Sequence, residues 1–173
     1  SFTYDANGRQ TSMTNARGYT TTYTYDSCGN TTAVTDAMGG TTSSVYDANG
    51  NLLSTTDAEG NTISYTYDAM GRVLTTTDAE GAVTAVTYDL NGNITKLTQA
   101  DGSEITYSYN ARNELTGYVD AEGYSHSYTY DGNGNLLTEP DGNGNITTYT
   151  YDALDRLTGV TNGEGETSSV EYD

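Results

Sequence analysis

The sequence predicts an all-β fold: antiparallel β-hairpins strung on a 21-residue repeat. Three observations predict it. Tyrosine returns at Tyr4, Tyr25, Tyr46, Tyr67, Tyr88, Tyr109, Tyr130 and Tyr151, and again at Tyr172, with no insertion or deletion. Two further positions in every interval hold glycine or a residue that tolerates a left-handed backbone. The stretches between them carry β-branched and aromatic residues with period-two alternation, and no helical periodicity is present.

The tyrosine is position zero of the repeat. Position one is Asp in eight of nine repeats, as at Asp26, Asp47, Asp68 and Asp89. Position four is Gly8, Gly29, Gly50, Gly71, Gly92, Asn113, Gly134 and Asp155. Position fourteen is Gly18, Gly39, Gly60, Gly81, Gly102, Gly123, Gly144 and Gly165. Asn and Asp are the non-glycine residues best suited to φ > 0, so the backbone is expected to be left-handed at both positions. Asp followed three residues later by Gly, as in Asp68-Ala69-Met70-Gly71 and Asp78-Ala79-Glu80-Gly81, reads as a type I turn closed by a G1 bulge. The aspartate side chain can accept nearby backbone N–H groups. Each repeat then contains two reversals and two strands. One strand alternates clearly, with Ile63, Tyr65 and Tyr67 on one face and Thr62, Ser64 and Thr66 on the other. The second carries an aliphatic anchor at Leu52, Val73, Ile94, Leu115, Leu136 and Leu157. The regular tyrosine rows are expected to pack on one another.

A parallel β-solenoid with one repeat per coil is the alternative. It would stack the repeated aspartates about 4.8 Å apart, whereas hairpins place them two strands, roughly 9–10 Å, apart. The carboxylate repulsion favours the hairpin array. So few large side chains per repeat cannot offset the ordering of its backbone, and one repeat is not expected to fold alone. The whole of residues 1–173 reads as a single array of about eight repeats, and as a fragment of a larger protein.

The net charge is −18, with six basic residues against 24 acidic ones. So acidic a chain repels phosphate backbones, which argues against nucleic acid and anionic membranes as partners. No apolar run exceeds two residues, so no membrane-inserting helix is expected. The single Cys28 forms no internal disulfide. Low lysine with abundant Thr, Tyr, Asn and Gly fits a secreted or cell-surface protein.

Tyr-Asp-x-x-Gly-[Asn/Arg]-Leu, then Thr-Asp-Ala-x-Gly, then Tyr-x-Tyr-Asp, resembles the YD or RHS repeat over the entire chain. That family includes bacterial RHS and wall-associated proteins, ABC-toxin shells and teneurins. The resemblance implies a long antiparallel sheet that spirals into a shell. It implies a structural role in an extracellular shell, filament or surface stalk of bacterial origin, or a shell enclosing a C-terminal toxin domain outside this segment. The implied partners are further YD repeats of the same chain or of neighbouring subunits.

Catalysis is not expected. His126 and Cys28 are each the only residue of their kind, and each replaces an unrelated residue of the repeat, so no recurring nucleophile–base pair exists. No cofactor is expected. Asp89-Leu90-Asn91-Gly92-Asn93 and Asp131-Gly132-Asn133-Gly134-Asn135 resemble the opening of a Ca²⁺ loop but lack the distal glutamate, and a self-bonded Asx turn is the simpler reading. Glycans are the alternative ligand. Tyr19, Tyr118 and Tyr124 lie outside the two regular tyrosine positions and are taken as exposed sugar-stacking candidates.

Overall fold

The computed structural model describes residues 1–173, and it contains strands and turns but no helix. Two compact units divide the chain, Ser1–Ala85 and Val86–Asp173. The boundary falls inside a strand and marks no linker.

The first unit holds β1 (Phe2–Tyr4), β2 (Gln10–Thr14), β3 (Thr20–Tyr25), β4 (Thr31–Thr35), β5 (Thr41–Tyr46), β6 (Leu52–Thr56), β7 (Thr62–Tyr67) and β8 (Val73–Thr77). It also holds the start of β9 (Val83–Tyr88). Each strand pairs antiparallel with the next along the chain. The second unit holds β10 (Ile94–Thr98), β11 (Glu104–Tyr109), β12 (Leu115–Val119) and β13 (Ser125–Ser127), paired in the same way. It continues with a five-stranded sheet of β14 (Thr129–Tyr130), β15 (Leu136–Pro140), β16 (Ile146–Tyr151), β17 (Leu157–Thr161) and β18 (Thr167–Ser169), in chain order and open at both edges. The antiparallel pairing replaces the solenoid alternative.

The reversals form as the residues dictate. In the Tyr-Asp turn of β7–β8, Asp68 N donates to Arg72 O at 2.9 Å and Gly71 N donates to Asp68 O at 3.1 Å. The Thr-Asp turn of β8–β9 repeats this between Asp78, Gly81 and Ala82. The left-handed residue is glycine at fourteen turns, and Asn113 and Asp155 take it at φ 64° and 61°.

The register explains why one strand of each repeat alternates legibly and the other does not. Thr66 faces Thr75, but Tyr67 faces Val73, so Leu74 is an extra, bulged residue. The same bulge recurs at β1–β2, β3–β4, β5–β6, β11–β12, β14–β15 and β16–β17. An inserted residue shifts the phase of the alternation. Val73 and Thr76, three apart, therefore lie across from Tyr67 and Tyr65 on one face.

No apolar side chain is fully buried anywhere, and His126, 9% exposed, is the most enclosed residue. In place of a core, the two sheet faces have separate chemistries. One carries the tyrosines and aliphatic anchors, half-buried. The other carries hydroxyls that bond in pairs across strands: Thr14–Thr20, Thr35–Thr41, Thr56–Thr62 and Thr161–Thr167 at the Thr-Asp turns, and Thr24–Thr32, Thr66–Thr75 and Thr129–Thr138 beside the bulges. Backbone ladders and such cross-strand pairs take over the stabilising role of a core.

Left-handed turn closure gives a direct test. Gly60 has φ +91°, with open space around it. Gly60→Ala should therefore cost about 1–2 kcal/mol through backbone strain alone, read from the urea midpoint. Ala58→Ser, at an exposed position of the same turn, should change it by less than ~0.5 kcal/mol.

Candidate functional site

The turns are the most elaborately bonded part of the chain. In each Asp turn, one carboxylate oxygen accepts the N–H groups two and four residues on. Asp47 Oδ1 accepts Asn49 N at 2.8 Å and Asn51 N at 2.9 Å. Where that fourth residue is Asn or Arg, the other oxygen takes its side chain. Asn51 Nδ2 reaches Asp47 Oδ2 at 2.8 Å, and Arg9, Arg72 and Arg156 place Nε 2.7 Å from Asp5, Asp68 and Asp152. This closure was only half legible beforehand. The aspartate's backbone bonds follow from its position, but the role of the recurring Asn or Arg at position five requires the fold.

These bonds hold the carboxyls below their usual range. At Asp57 the Asn61 side chain is the main cause, and at Asp68 the Arg72 N–H is. The same holds for Asp26, Asp89, Asp131 and Asp141, each through its Asn side chain first.

Adjacent turns on one edge are also clasped to each other. Arg9 donates through a terminal guanidinium nitrogen to Asp26 O at 2.8 Å and lies 4.7 Å from the Tyr25 ring centre. Arg112 bonds Asp131 O at 2.8 Å. Asn91 and Asn93 both donate to Asn113 Oδ1, and Asn133 and Asn135 both donate to Asp155 Oδ1. The two non-glycine left-handed residues are thus the acceptors of the asparagine clasps.

The regular tyrosines do not stack in rows. Equivalent rings two strands apart exceed the 4.5–7 Å range of ring pairs. Instead Tyr25, Tyr67 and Tyr130 each donate their hydroxyl to a backbone carbonyl 15 residues earlier, at Gln10, Leu52 and Leu115. Ring contacts gather around Tyr118. It stacks on His126 at 4.3 Å and 11°, and tilts against Tyr107 and Tyr128 at 6.2 and 6.3 Å.

That cluster departs from the repeat in the second unit. His126 Nε2 lies 2.9 Å from Asp120 Oδ2, a carboxylate that the imidazole bond lowers first and the Tyr124 N–H lowers further. A notch of 280 Å³ beside it is lined by Asp120, Tyr124, Ser125, His126 and the Gly142–Gly144 turn. Gly117 must be glycine, because a Cβ there would meet His126 O at 2.6 Å. After β13 the sheet breaks at Tyr128 and resumes at β14. Nothing in a 21-residue pattern announces this cluster, since it is built from residues that depart from it.

Of the sugar-stacking candidates, Tyr124 is 70% and Tyr19 54% exposed, each one residue beyond the left-handed glycine of a turn. Tyr118 is corrected: it is half-buried within the ring cluster, because its register position places it opposite His126. Cys28 is exposed at the tip of the Asp26 turn, its N–H donating to Asp26 Oδ1. In the two Ca²⁺-like segments the carboxylates serve their own turns: Asp89 accepts Asn91 N, Asn93 N and Asn93 Nδ2, and Asp131 does the same with Asn133 and Asn135. No group of three His, Cys, Asp or Glu side chains is placed to share a metal ion.

The sequence profile of the RHS Repeat matches residues 4–42, 46–83, 88–125, 109–143 and 130–167. The chain belongs to the RHS repeat family. No curated protein sequence matches it. Among solved structures, this RHS-repeat chain is similar to a chain of the Photorhabdus luminescens Tc holotoxin pore carrying a TccC3 mutation, with TM-score 0.64 and 21% identity. The match covers 83% of this chain and 9% of that one. It is also similar to TcdB2-TccC3 without its hypervariable C-terminal region, at TM-score 0.56 and 18% identity over 93% of this chain and 11% of that one. The likeness extends to TcdB2-TccC3-Cdc42, at TM-score 0.51 and 18% identity over 99% and 12%. The chain spans about a tenth of the length of these proteins, and at these identities what is shared is the fold.

Two titrations test the site. Carboxyls with depressed folded pKa values stabilise the fold above their ordinary value of 3.8, and that stability is lost as pH falls through the depressed values. In ~0.5 M salt, where repulsion between distant carboxylates is screened, Tm should hold from neutral pH to about 4 and then fall. Asp57→Asn should shrink that fall. Separately, the Tyr149 hydroxyl donates to Glu139 Oε1, and this bond, with desolvation and the carboxylate's charge, pushes Tyr149 up to about 12. Ultraviolet titration should find Tyr149 ionising late in the wild type, and Glu139→Gln should bring it down toward the other tyrosines.

Proposed function

We propose that this chain is a structural wall segment: a run of RHS-repeat sheet in a secreted or surface-exposed bacterial shell, filament or stalk, carrying no catalysis itself. The observation that supports it most is the absence of any buried apolar residue in a chain of 173 residues whose backbone is nonetheless laddered throughout. A surface-building sheet needs regular edges and turns, whereas a catalytic domain needs an enclosed, water-excluding site. The chemistry is spent on closing turns, and open strands such as β1 and β18 offer edges to further repeats. The fold likeness to Tc toxin chains supports a shell setting, in which a toxin domain outside this segment would be the enclosed cargo.

A second reading rests on the exposed Tyr19 and Tyr124 rings, the latter beside the Asp120–His126 notch. Both could stack on a glycan and make the surface adhesive.

Lengthening the chain by one, two and four repeats tests the wall reading. Melting temperature should climb with each added repeat and then level off, as expected when stability resides in nearest-neighbour interfaces. A melting temperature indifferent to length would sink the reading. Glycan-array binding lost in a Tyr19→Ala, Tyr124→Ala double variant would establish the second.

A further inference from the structure

We propose that the Asn-Gly tips of the turns are sites of spontaneous deamidation, and that the left-handed residue of the following turn decides which of them react. Five turns carry Asn-Gly at the tip: Asn7-Gly8, Asn49-Gly50, Asn91-Gly92, Asn133-Gly134 and Asn143-Gly144. All five asparagines are exposed.

The reaction needs only water. The glycine backbone nitrogen attacks the asparagine Cγ. The Cγ–Nδ2 bond breaks, and ammonia leaves with the proton from the glycine N–H. A five-membered imide remains. Water opens it at either carbonyl and leaves Asp or its β-linked isomer. Glycine permits the attack because it has no side chain to obstruct the approach. The asparagine side chain must swing over its own backbone to be attacked.

Backbone restraint is the same in all five tips. Each asparagine N–H is held by its turn's aspartate at 2.8–2.9 Å. Each glycine N–H donates to that aspartate's carbonyl at 3.0–3.3 Å. Side-chain restraint differs. Asn91 Nδ2 donates to Asn113 Oδ1 at 2.9 Å, and Asn133 Nδ2 donates to Asp155 Oδ1 at 2.8 Å, each 22 residues on. The residues 22 beyond Asn7, Asn49 and Asn143 are Gly29, Gly71 and Gly165, which have no side chain to offer. To react, Asn91 and Asn133 must first break a bond that the other three lack. Asn133 breaks one to a carboxylate, the stronger kind. The Asp155 charge also opposes the negative charge that builds on the attacking Gly134 nitrogen.

Each conversion at an untethered tip adds a carboxylate to a chain already at −18. The β-linked product also inserts an extra backbone carbon into a turn with no slack. Asn7, Asn49 and Asn143 are thus the ageing points of the array.

The test is site-resolved peptide mapping by mass spectrometry, with the intact chain held at mildly alkaline pH. Asn7, Asn49 and Asn143 should convert in parallel. Asn91 should convert about fivefold more slowly, the factor that one neutral hydrogen bond confers, and Asn133 more slowly still. Asn113→Gly should raise Asn91 to the rate of Asn49, and Asp155→Gly should do so for Asn133. Both variants install the residue that most other turns already carry, so the turn geometry persists. In urea, where the clasps are gone, all five rates should converge. Equal rates in the folded wild type would overturn the proposal, as would Asn91 and Asn133 staying slow in the glycine variants or in urea.

Discussion

The rest of the structure rests on a side-chain oxygen, aspartate's at most turns and asparagine's at Asn15, Asn110 and Asn162, closing a four-residue reversal whose last residue is left-handed. The oxygen satisfies two backbone N–H groups that the tight turn would otherwise leave unpaired, and where Asn or Arg follows four residues on from an aspartate, the second carboxylate oxygen holds that side chain. The turn is therefore complete within about five residues and owes nothing to packing elsewhere. A fold built from such closures can dispense with a hydrophobic core. It has none: no large apolar side chain is fully buried, and Leu90 at a turn tip is 96% exposed.

What a core would do is divided among three weaker devices. Within each sheet, backbone ladders join neighbouring strands. Threonine hydroxyls pair across one face, at both the turns and the bulges. On the other face, tyrosine hydroxyls reach back to carbonyls 15 residues earlier, as Tyr67 does to Leu52, tying one hairpin to the one before it. Each device links only neighbours, so stability is local and propagates along the chain, as in other repeat proteins. This is also why such a sheet suits extension.

Variation within the repeat acquires meaning once neighbouring turns are seen together. Asn113 and Asp155 look like tolerated exceptions to glycine. In the fold they accept amides from the preceding turn, so the cost of a left-handed non-glycine backbone is offset by a bond that glycine cannot make. Arg9 and Arg112 work in the opposite direction, donating to carbonyls of the next turn. His126 is a different kind of exception. Stacked on Tyr118 and bonded to Asp120, it makes the most enclosed spot in the chain a few residues before the sheet breaks.

The strands, the reversals and the family are legible in the order of the residues alone. A constant 21-residue spacing, a left-handed residue at two fixed positions and aspartate three residues before it are local signals, and the structures they specify are local too. The antiparallel pairing is legible there as well, because repeated carboxylates resist closer stacking. What each strand faces emerges only in the folded sheet. The bulge after the anchor residue shifts the alternation without leaving a mark in composition, so the register of β2, β4, β6 and β8 could not be read from polarity. The tertiary structure also withdrew Tyr118 from the exposed tyrosines and joined Asn91 to Asn113. These contacts link residues that sequence distance separates and only strand pairing brings together.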